Sequence, residues 1–271
     1  MDEQERKLHI KNTFNTVSEG YDNPALRFFI NSAKRLPEIF QLKGDEHILD
    51  VATGTGIAAL ELARAVPQGK VTGIDFSDGM LRQATNKAAA QQLGNTEFLH
   101  MDMQAIEFPD AHFDAANCSF AIFFVEDMQG LLHHISQKVK PGGRVACSSF
   151  TEGAFQPVQE IFLDHLEEYG IERPPLSWKR IASEEKSAEL FKTAGLSDIQ
   201  TQRHNAGYHL ENADQWWNVV WYAGYRGLIS QLKPEQVEPF KKQHLAEIQN
   251  LATHEGIWLD VEVLYTSGRC K

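Results

Sequence analysis

The sequence predicts an α/β protein with a mostly parallel sheet and helices on both faces. In the first 150 residues, short apolar runs alternate with stretches that have helical spacing, and turn residues separate them. Such alternation is typical of βαβ units, in which crossover helices cover a parallel sheet. The expected strands of this half are 47–51, 70–74, 97–100, a segment within 113–124, and 144–150.

Helices and turns fill the intervals between these strands. Residues 57–66 have helical spacing, and residues 80–93 are rich in alanine, glutamine and leucine, which favour helix. Turns are expected at 67–69, 94–95 and 141–143, where glycine, proline or asparagine cluster.

The second half has longer helical patterns and fewer strands. Helices are expected at 154–169, 183–194, 212–232 and 234–253, and strands at 197–203 and 256–265. Ser183 is a candidate N-cap and Gly195 a stop signal for one of these helices. We therefore predict an N-terminal helical lid at 1–45, a core at 46–150, and a last part at 151–271 that carries a helical cap at about 210–254.

Composition limits the classes of partner. The 271 residues carry a formal net charge of −11, and no run of lysine and arginine supplies the cationic surface that a nucleic acid needs. The three cysteines are far apart, which argues against a disulfide framework or a zinc site. No signal sequence or bilayer-length apolar stretch is visible, so we expect a cytoplasmic protein without stable membrane insertion, as a monomer or homodimer.

The strongest local signal is a small-residue loop after the first predicted strand. Residues 48–57 read ILDVATGTGI, so a strand enters a turn that contains Ala52, Thr53, Gly54 and Gly56, and a helix follows. Small residues let the backbone approach a ligand, and free N–H groups point out from a helix start. The same pattern also occurs wherever a strand turns sharply into a helix, so the loop alone is weak evidence.

Acidic residues strengthen that interpretation. Asp50, Asp75 and Asp102 follow or end the first three predicted strands. Ligands of open α/β sheets bind along the carboxyl edge, where a carboxylate after the second strand is placed to bind two ribose hydroxyls. A nucleotide-like cofactor is the expected ligand.

Taken together, the motifs resemble those of class I S-adenosylmethionine-dependent methyltransferases, and more narrowly the ubiquinone/menaquinone-biosynthesis (UbiE-type) group. The matching segments are DVATGTG at 50–56, VTGIDFS at 71–77 with Met80 a turn later, MDM at 101–103, VKPGGR at 139–144 and FNTVSEGYD at 14–22. Ala52 replaces the first glycine of the usual motif. The resemblance covers about residues 10–150.

The resemblance implies a Rossmann-like, seven-stranded, mostly parallel sheet that binds S-adenosylmethionine and no metal. Asp50, Gly54 and Gly56, with Ala52 and Thr53 between them, are then expected around the methionine part of the cofactor. Asp75 is expected at the ribose, and Phe76, Met101, Asp102 and Met103 are expected around the adenine, with Asp102 accepting from its amino group. Tyr21 is expected to cover the methionine end, Met80 to complete the second motif, and Asn117 to line the pocket near the transferred methyl.

Two other functions remain open from the sequence. A nicotinamide-dependent oxidoreductase is one, because residues 54–59 fit a GxGxxA variant of the dinucleotide motif and Asp75 would serve either cofactor. Asp102 and the 140–143 turn favour the methyl donor instead. A protein that binds S-adenosylmethionine without catalysing a reaction is the other.

The acceptor is expected to be a small molecule, aromatic or quinol-like. Residues 117–120 read NCSF and lack the two prolines typical of amide-methylating enzymes that act on nucleobases. Phe120, Trp217 and Trp221 are candidates for an apolar wall, although aromatic residues at helical spacing are more often core. Residues 120–125 are expected to be a buried strand end rather than a membrane contact.

Candidates for a general base come from histidines and one tyrosine. We single out His204 and Tyr208, which follow a predicted strand close to the cap, while His209, His133 and His134 are weaker candidates. A base is needed only if the acceptor must lose a proton during methyl transfer.

Overall fold

The computed structural model describes residues 3–271, and the first two residues of the predicted lid lie outside the described residues. The strands are β1 (His47–Val51), β2 (Lys70–Asp75), β3 (Thr96–His100), β4 (Phe113–Ser119), β5 (Val139–Phe150), β6 (Ser197–Asn205), β7 (Tyr208–Leu210), β8 (Ile257–Leu259) and β9 (Glu262–Arg269). The predicted α/β class is confirmed.

The helices lie between these strands in the order that the sequence predicts. They are α1 (Glu3–Val17), α2 (Phe28–Ala33), α3 (Leu36–Phe40), α4 (Ile57–Ala65), α5 (Asp78–Ala90), α6 (Met128–Gln137), α7 (Val158–Glu168), α8 (Glu184–Thr193), α9 (Ala213–Tyr222), α10 (Arg226–Ile229) and α11 (Pro234–Gln249). Short 3₁₀ turns occur at Pro24–Leu26, Ile122–Phe124 and Ser177–Ile181. Within residues 3–271, none of the helices combines the length and the apolar character that crossing a bilayer requires.

Seven strands form one sheet in the order β3-β2-β1-β4-β5-β9-β6. The pairs from β3 to β5 are parallel, and β9 runs antiparallel to β5. Ser77 and Ser183 cap α5 and α8 by accepting hydrogen bonds from Met80 N and Lys186 N. Because β1, β2, β3 and β4 are parallel, their carboxyl ends meet at one edge of the sheet, where a ligand of such a sheet binds.

Three predicted elements differ from the observed ones. The predicted strand 256–265 is divided into β8 and β9, because Asp260 O and Val261 O accept hydrogen bonds from Phe155 N and Ala206 N instead of continuing one ladder. The predicted helix 212–232 is divided into α9 and α10, since Ala223 is extended and Gly224 follows it.

The third difference concerns the predicted turn at 141–143. It lies inside β5 as an irregularity, where the register with β4 shifts between Phe113 and Ala115. Gly142 has φ +82°, a conformation that favours glycine.

The chain folds as two compact units. Unit 1 comprises the described residues through Phe28, Gly153–Pro175 and Asn205–Glu262, and unit 2 comprises Phe29–Glu152, Leu176–His204 and Val263–Lys271. Unit 2 contains almost all of the seven-stranded sheet. Its core includes Leu49, Ile74, Cys118 and Cys147 of the sheet and Leu132 of α6.

A directional chain of hydrogen bonds lies inside unit 1. Trp216 Nε1 donates to His244 Nε2 at 2.7 Å, His244 Nδ1 contacts His165 Nδ1 at 3.0 Å, and His165 Nε2 contacts Glu247 Oε2 at 2.9 Å. Because an indole N–H only donates, the proton of neutral His244 lies on Nδ1 and points to His165. His165 then donates to Glu247, and both rings fit this chain in the neutral form.

This chain predicts that acid destabilises the fold. Burial lowers the pKa of His244 to about 3. A histidine with a depressed pKa contributes its full stability above its ordinary pKa and loses it as pH falls towards the folded-state value. Between pH 7.5 and 5 this one group is expected to remove about 2 kcal/mol from the free energy of unfolding.

Urea unfolding at pH 7.5 and 5.0 measures the effect. In His244→Gln, the free energy of unfolding should depend less on pH, by the equivalent of about one proton taken up on unfolding. The control His254→Gln, at an exposed position of the same unit, should leave this pH dependence unchanged. An unaltered pH dependence in His244→Gln would contradict this account.

Candidate active site

The candidate site lies in unit 2 and includes a buried carboxylate. Asp50, on β1, accepts hydrogen bonds from Thr53 Oγ1 at 2.5 Å and from Asn117 Nδ2, on neighbouring β4, at 2.6 Å. Burial raises the pKa of Asp50 to about 6, although both hydrogen bonds oppose the shift. Ser119 Oγ donates to Asn117 Oδ1 at 3.1 Å and orients the amide. The ends of β1 and β4 thus share one polar network.

The loop after β1 turns through conformations that favour glycine. Ala52, Gly54 and Gly56 have φ values of +54°, +56° and +80°. A Cβ on Gly56 would lie 2.9 Å from Ala84 Cβ, so glycine is needed there for close packing against α5. A Cβ on Gly54 would meet nothing within 4 Å, so the loop faces open space at that point.

The carboxylate of Asp75 is fixed by backbone donors. Gly54 N donates to Oδ2 and Ser77 N donates to Oδ1, each at 2.9 Å. Burial raises the pKa of Asp75, and these hydrogen bonds to the ionised form oppose the shift. A carboxylate has about four lone-pair sites, so the oriented Asp75 side chain can still accept a hydrogen bond from a ligand.

Half-buried side chains flank this carboxylate. Phe76, Met101, Asp102 and Met103 follow β2 and β3, and all four are neither fully buried nor fully exposed. Asp102 Oδ1 accepts from Gln104 N at 2.9 Å in a tight turn. Two thioethers, a phenyl ring and a carboxylate at one edge suit a planar group with a polar rim.

Aromatic rings lie beyond the end of β4. Phe120 stacks on Phe150 with centroids 4.7 Å apart and meets Phe29 edge-on at 5.3 Å, and Trp178 lies 5.9 Å from Phe150. Phe120 has φ +53°, a conformation that is costly for a residue with a side chain. Residues 121–123 and 125 are buried, as the sequence predicts, but the predicted strand end is wrong, because β4 ends at Ser119 and a 3₁₀ turn follows at Ile122–Phe124.

Comparison with known proteins identifies the chemistry of this edge. The family model of the methyltransferase domain matches residues 48–143, which include the Gly54 loop, Asp75, Asp102 and Asn117. Residues 48–143 are therefore a methyltransferase domain of the class I, S-adenosylmethionine-dependent type. It transfers a methyl group to a small-molecule acceptor, and S-adenosylmethionine is its cofactor.

Relatives of this methyltransferase include a demethylmenaquinone methyltransferase of Listeria welshimeri, which is 27% identical over 222 residues, covering 75% of this chain and 93% of the relative. The YcgJ protein of Bacillus subtilis has the same fold, with a TM-score of 0.59 at 19% identity, covering 89% of this chain and 98% of that one. An Aquifex aeolicus methyltransferase gives a TM-score of 0.52 at 21% identity, covering 70% and 90%. The predicted resemblance is therefore confirmed.

The residues of unit 2 fit the cofactor. The open space at Gly54 leaves room beside the loop, and Asp75 offers an oriented carboxylate for ribose hydroxyls. Phe76, Met101, Asp102 and Met103 are then the residues that would hold the adenine, while Asp50 and Asn117 would face the methionine end. Met80 is buried in α5.

The structure separates His204 from this edge. His204 lies on β6, and β5 and β9 stand between β6 and β4 in the sheet. With strands about 4.8 Å apart, β6 is about 14 Å from the strand that carries Asn117. This distance disfavours the predicted role of His204 as the base.

The hydroxyl of Tyr208 is occupied elsewhere. In unit 1 it donates to Ala25 O at 2.6 Å, and the guanidinium of Arg27 lies 3.7 Å from the ring centroid. Burial raises the pKa of Tyr208, which is the wrong direction for a base. These contacts favour a structural role in fastening β7 to the segment before α2.

The other histidine candidates also make structural contacts. His133 Nδ1 lies 3.1 Å from Ala194 O, His134 Nε2 accepts from Ile106 N at 3.1 Å, and His209 meets Trp258 edge-on. These histidines therefore give no support for a general base.

Two tryptophans and Tyr21, which the sequence assigned to ligand contacts, lie in unit 1. Trp217 is 6% exposed and packs against Trp221 at 5.7 Å, and Arg226 covers Trp221 at 3.6 Å. Tyr21 meets Phe14 edge-on at 6.2 Å. Packing explains the burial of Trp217, and the ligand roles of these three residues stay predictions.

Proposed function

We propose that the methyl acceptor is an oxygen-substituted aromatic ring of the quinol type. The observation that carries the proposal is the aromatic group formed by Phe29, Phe120 and Phe150. Phe120 is the first residue after β4, and β4 is two strands away from β2, which ends at Asp75. Aromatic rings favour stacked and edge-on contacts with another ring. The names of the demethylmenaquinone methyltransferases among the relatives agree with such an acceptor.

The polar residues beside the aromatic group suit a neutral ring. Ser119 donates to Asn117, and Asn117 donates to Asp50, so this part of the edge offers oriented polar atoms. An anionic acceptor would need a compensating positive charge beside this network.

The proposed catalytic contribution of the chain is alignment. S-adenosylmethionine supplies an activated methyl group. The aromatic group and the Asn117 network would hold the acceptor in line with that methyl and exclude water, and alignment of this kind contributes up to about 10 kcal/mol in model reactions. Since the candidate bases lie elsewhere, the acceptor proton is expected to leave to solvent after transfer.

Incubation with S-adenosylmethionine and a reduced short-chain demethylmenaquinone tests the proposal by mass spectrometry. We expect one added methyl group on the quinol and none on the oxidised quinone, since reduction makes the ring electron-rich. Phe120→Ala should lower kcat/KM by about 100-fold by removing a stacking surface. The control Phe124→Ala, which changes a ring four residues further on, should have a much smaller effect.

Methylation of an aliphatic amine such as phosphoethanolamine, without methylation of any quinol, would overturn the proposed acceptor class. That result would leave the methyltransferase assignment intact, because the cofactor residues do not depend on the acceptor.

A further inference from the structure

One hydroxyl in the sheet of unit 2 is buried without a partner. Ser148, on β5, is 1% exposed, and its Oγ makes no hydrogen bond within residues 3–271. Buried hydroxyls in proteins are normally paired, because an unpaired one loses its hydration without replacement. The position therefore calls for an explanation other than stability.

Strand register locates this hydroxyl beside the site. Ser148 is paired with Ser119 on parallel β4, and Phe120 N donates to Ser148 O at 2.9 Å. Residues directly paired on neighbouring strands share a face, and so do residues two apart on one strand. Ser148 therefore lies on the face of Asn117 and Ser119, one pleat before Phe150.

Several neighbouring hydroxyls of the same region have partners. Ser149, on the opposite face of β5, donates to Ile181 O at 3.4 Å, and Ser187 bonds to Thr266 at 2.7 Å. Ser119 donates to Asn117. Within residues 3–271, Ser148 Oγ on β5 and Thr151 Oγ1 just beyond the end of β5 are the buried hydroxyls left without a partner, and Ser148 is the one that lies in the sheet beside β4.

Backbone strain marks the same place. Phe120 adopts φ +53° directly after the residue that pairs with Ser148, and its ring stacks on Phe150 two residues beyond Ser148. Strained residues that the surrounding structure tolerates often lie at ligand sites, where movement of the side chain opens the site. The strained Phe120 and the unpaired hydroxyl of Ser148 therefore lie beside each other at the carboxyl edge of the sheet.

We propose that Ser148 Oγ forms a hydrogen bond with a ring oxygen of the acceptor and so fixes the rotation of the ring beside Asn117. This inference rests on the proposed function. It makes Ser148 a specificity-determining residue that distinguishes oxygen-substituted rings from plain aromatic rings, since a site built for a hydrogen bond rejects analogues that lack it.

Ser148→Ala tests the assignment. We expect KM for the reduced short-chain demethylmenaquinone to rise about tenfold. Titration with S-adenosylhomocysteine should give an unchanged affinity, and the urea midpoint should stay the same or rise, because an unpaired hydroxyl is removed. The matched control Ser149→Ala should leave KM unchanged and lower the urea midpoint, because Ser149 is paired.

A second measurement separates recognition from general damage. The analogue in which one ring hydroxyl is replaced by hydrogen should be a poor acceptor for the unchanged protein, and Ser148→Ala should reduce its turnover no further. An unchanged KM for the full quinol in Ser148→Ala would overturn the inference, and so would an equal loss with both acceptors. If the unchanged protein methylates no quinol, the proposed acceptor class fails first, and this inference fails with it.

Discussion

Asp75→Asn is expected to weaken binding of S-adenosylmethionine and S-adenosylhomocysteine by about 100-fold. Gly54 N and Ser77 N already orient the carboxylate, so it is held ready to accept hydrogen bonds from the ribose of the cofactor. Hydrogen bonds to a charged group contribute about 1.5–3 kcal/mol each, and an amide replaces one acceptor by a donor. Loss of about 2.7 kcal/mol corresponds to the 100-fold change.

Titration calorimetry with S-adenosylhomocysteine measures this effect. Asp78→Asn is the control, because Asp78 lies three residues further on and its side chain is 72% exposed. The control should bind like the unchanged protein. Equal affinities in Asp75→Asn and the unchanged protein would remove Asp75 from the cofactor site.

Cofactor affinity is expected to fall about tenfold between pH 7.5 and 5. Burial raises the pKa of Asp50 to about 6 in the free protein. A bound cation favours the carboxylate, so a proton competes with the cofactor as pH falls below 6, by a factor of about 10 at pH 5. Above pH 6 the buried Asp50 carboxylate is charged, and this lowers the free energy of unfolding of the protein without cofactor. The positive charge of the bound cofactor offsets that loss.

The variant Asp50→Asn isolates this contribution. Asp75 also has a raised pKa, so part of the pH dependence should persist in the variant. We expect Asp50→Asn to bind weakly at pH 7.5 and to lose the part of the pH dependence centred near 6. A pH dependence identical to that of the unchanged protein would rule out Asp50 as the titrating group.

Local sequence patterns predicted the cofactor half well because its signals are local. The apolar runs gave β1 and β2 within one residue, and the small-residue loop and Asp75 followed directly from the order of the strands. Ser183 and Gly195 marked the ends of α8, where the side chain of Ser183 caps and Gly195 has φ +96°.

Contacts between residues that are far apart in the chain cannot be predicted from local sequence patterns. The Asp50–Asn117 hydrogen bond joins positions 67 residues apart, and the His165–His244 contact joins positions 79 apart. The sequence predicts His204 as a candidate base, whereas the strand order places β5 and β9 between β4 and β6, which carries His204. Ser148 has no motif, and its missing partner becomes visible only when the sheet is assembled.

Titration of the purified protein with S-adenosylhomocysteine, S-adenosylmethionine and NADH tests the central claim most directly. We expect each sulfur ligand to bind at one site per chain and NADH to give no heat of binding. Binding of NADH without binding of either sulfur ligand would contradict the methyltransferase account and favour a nicotinamide-dependent enzyme.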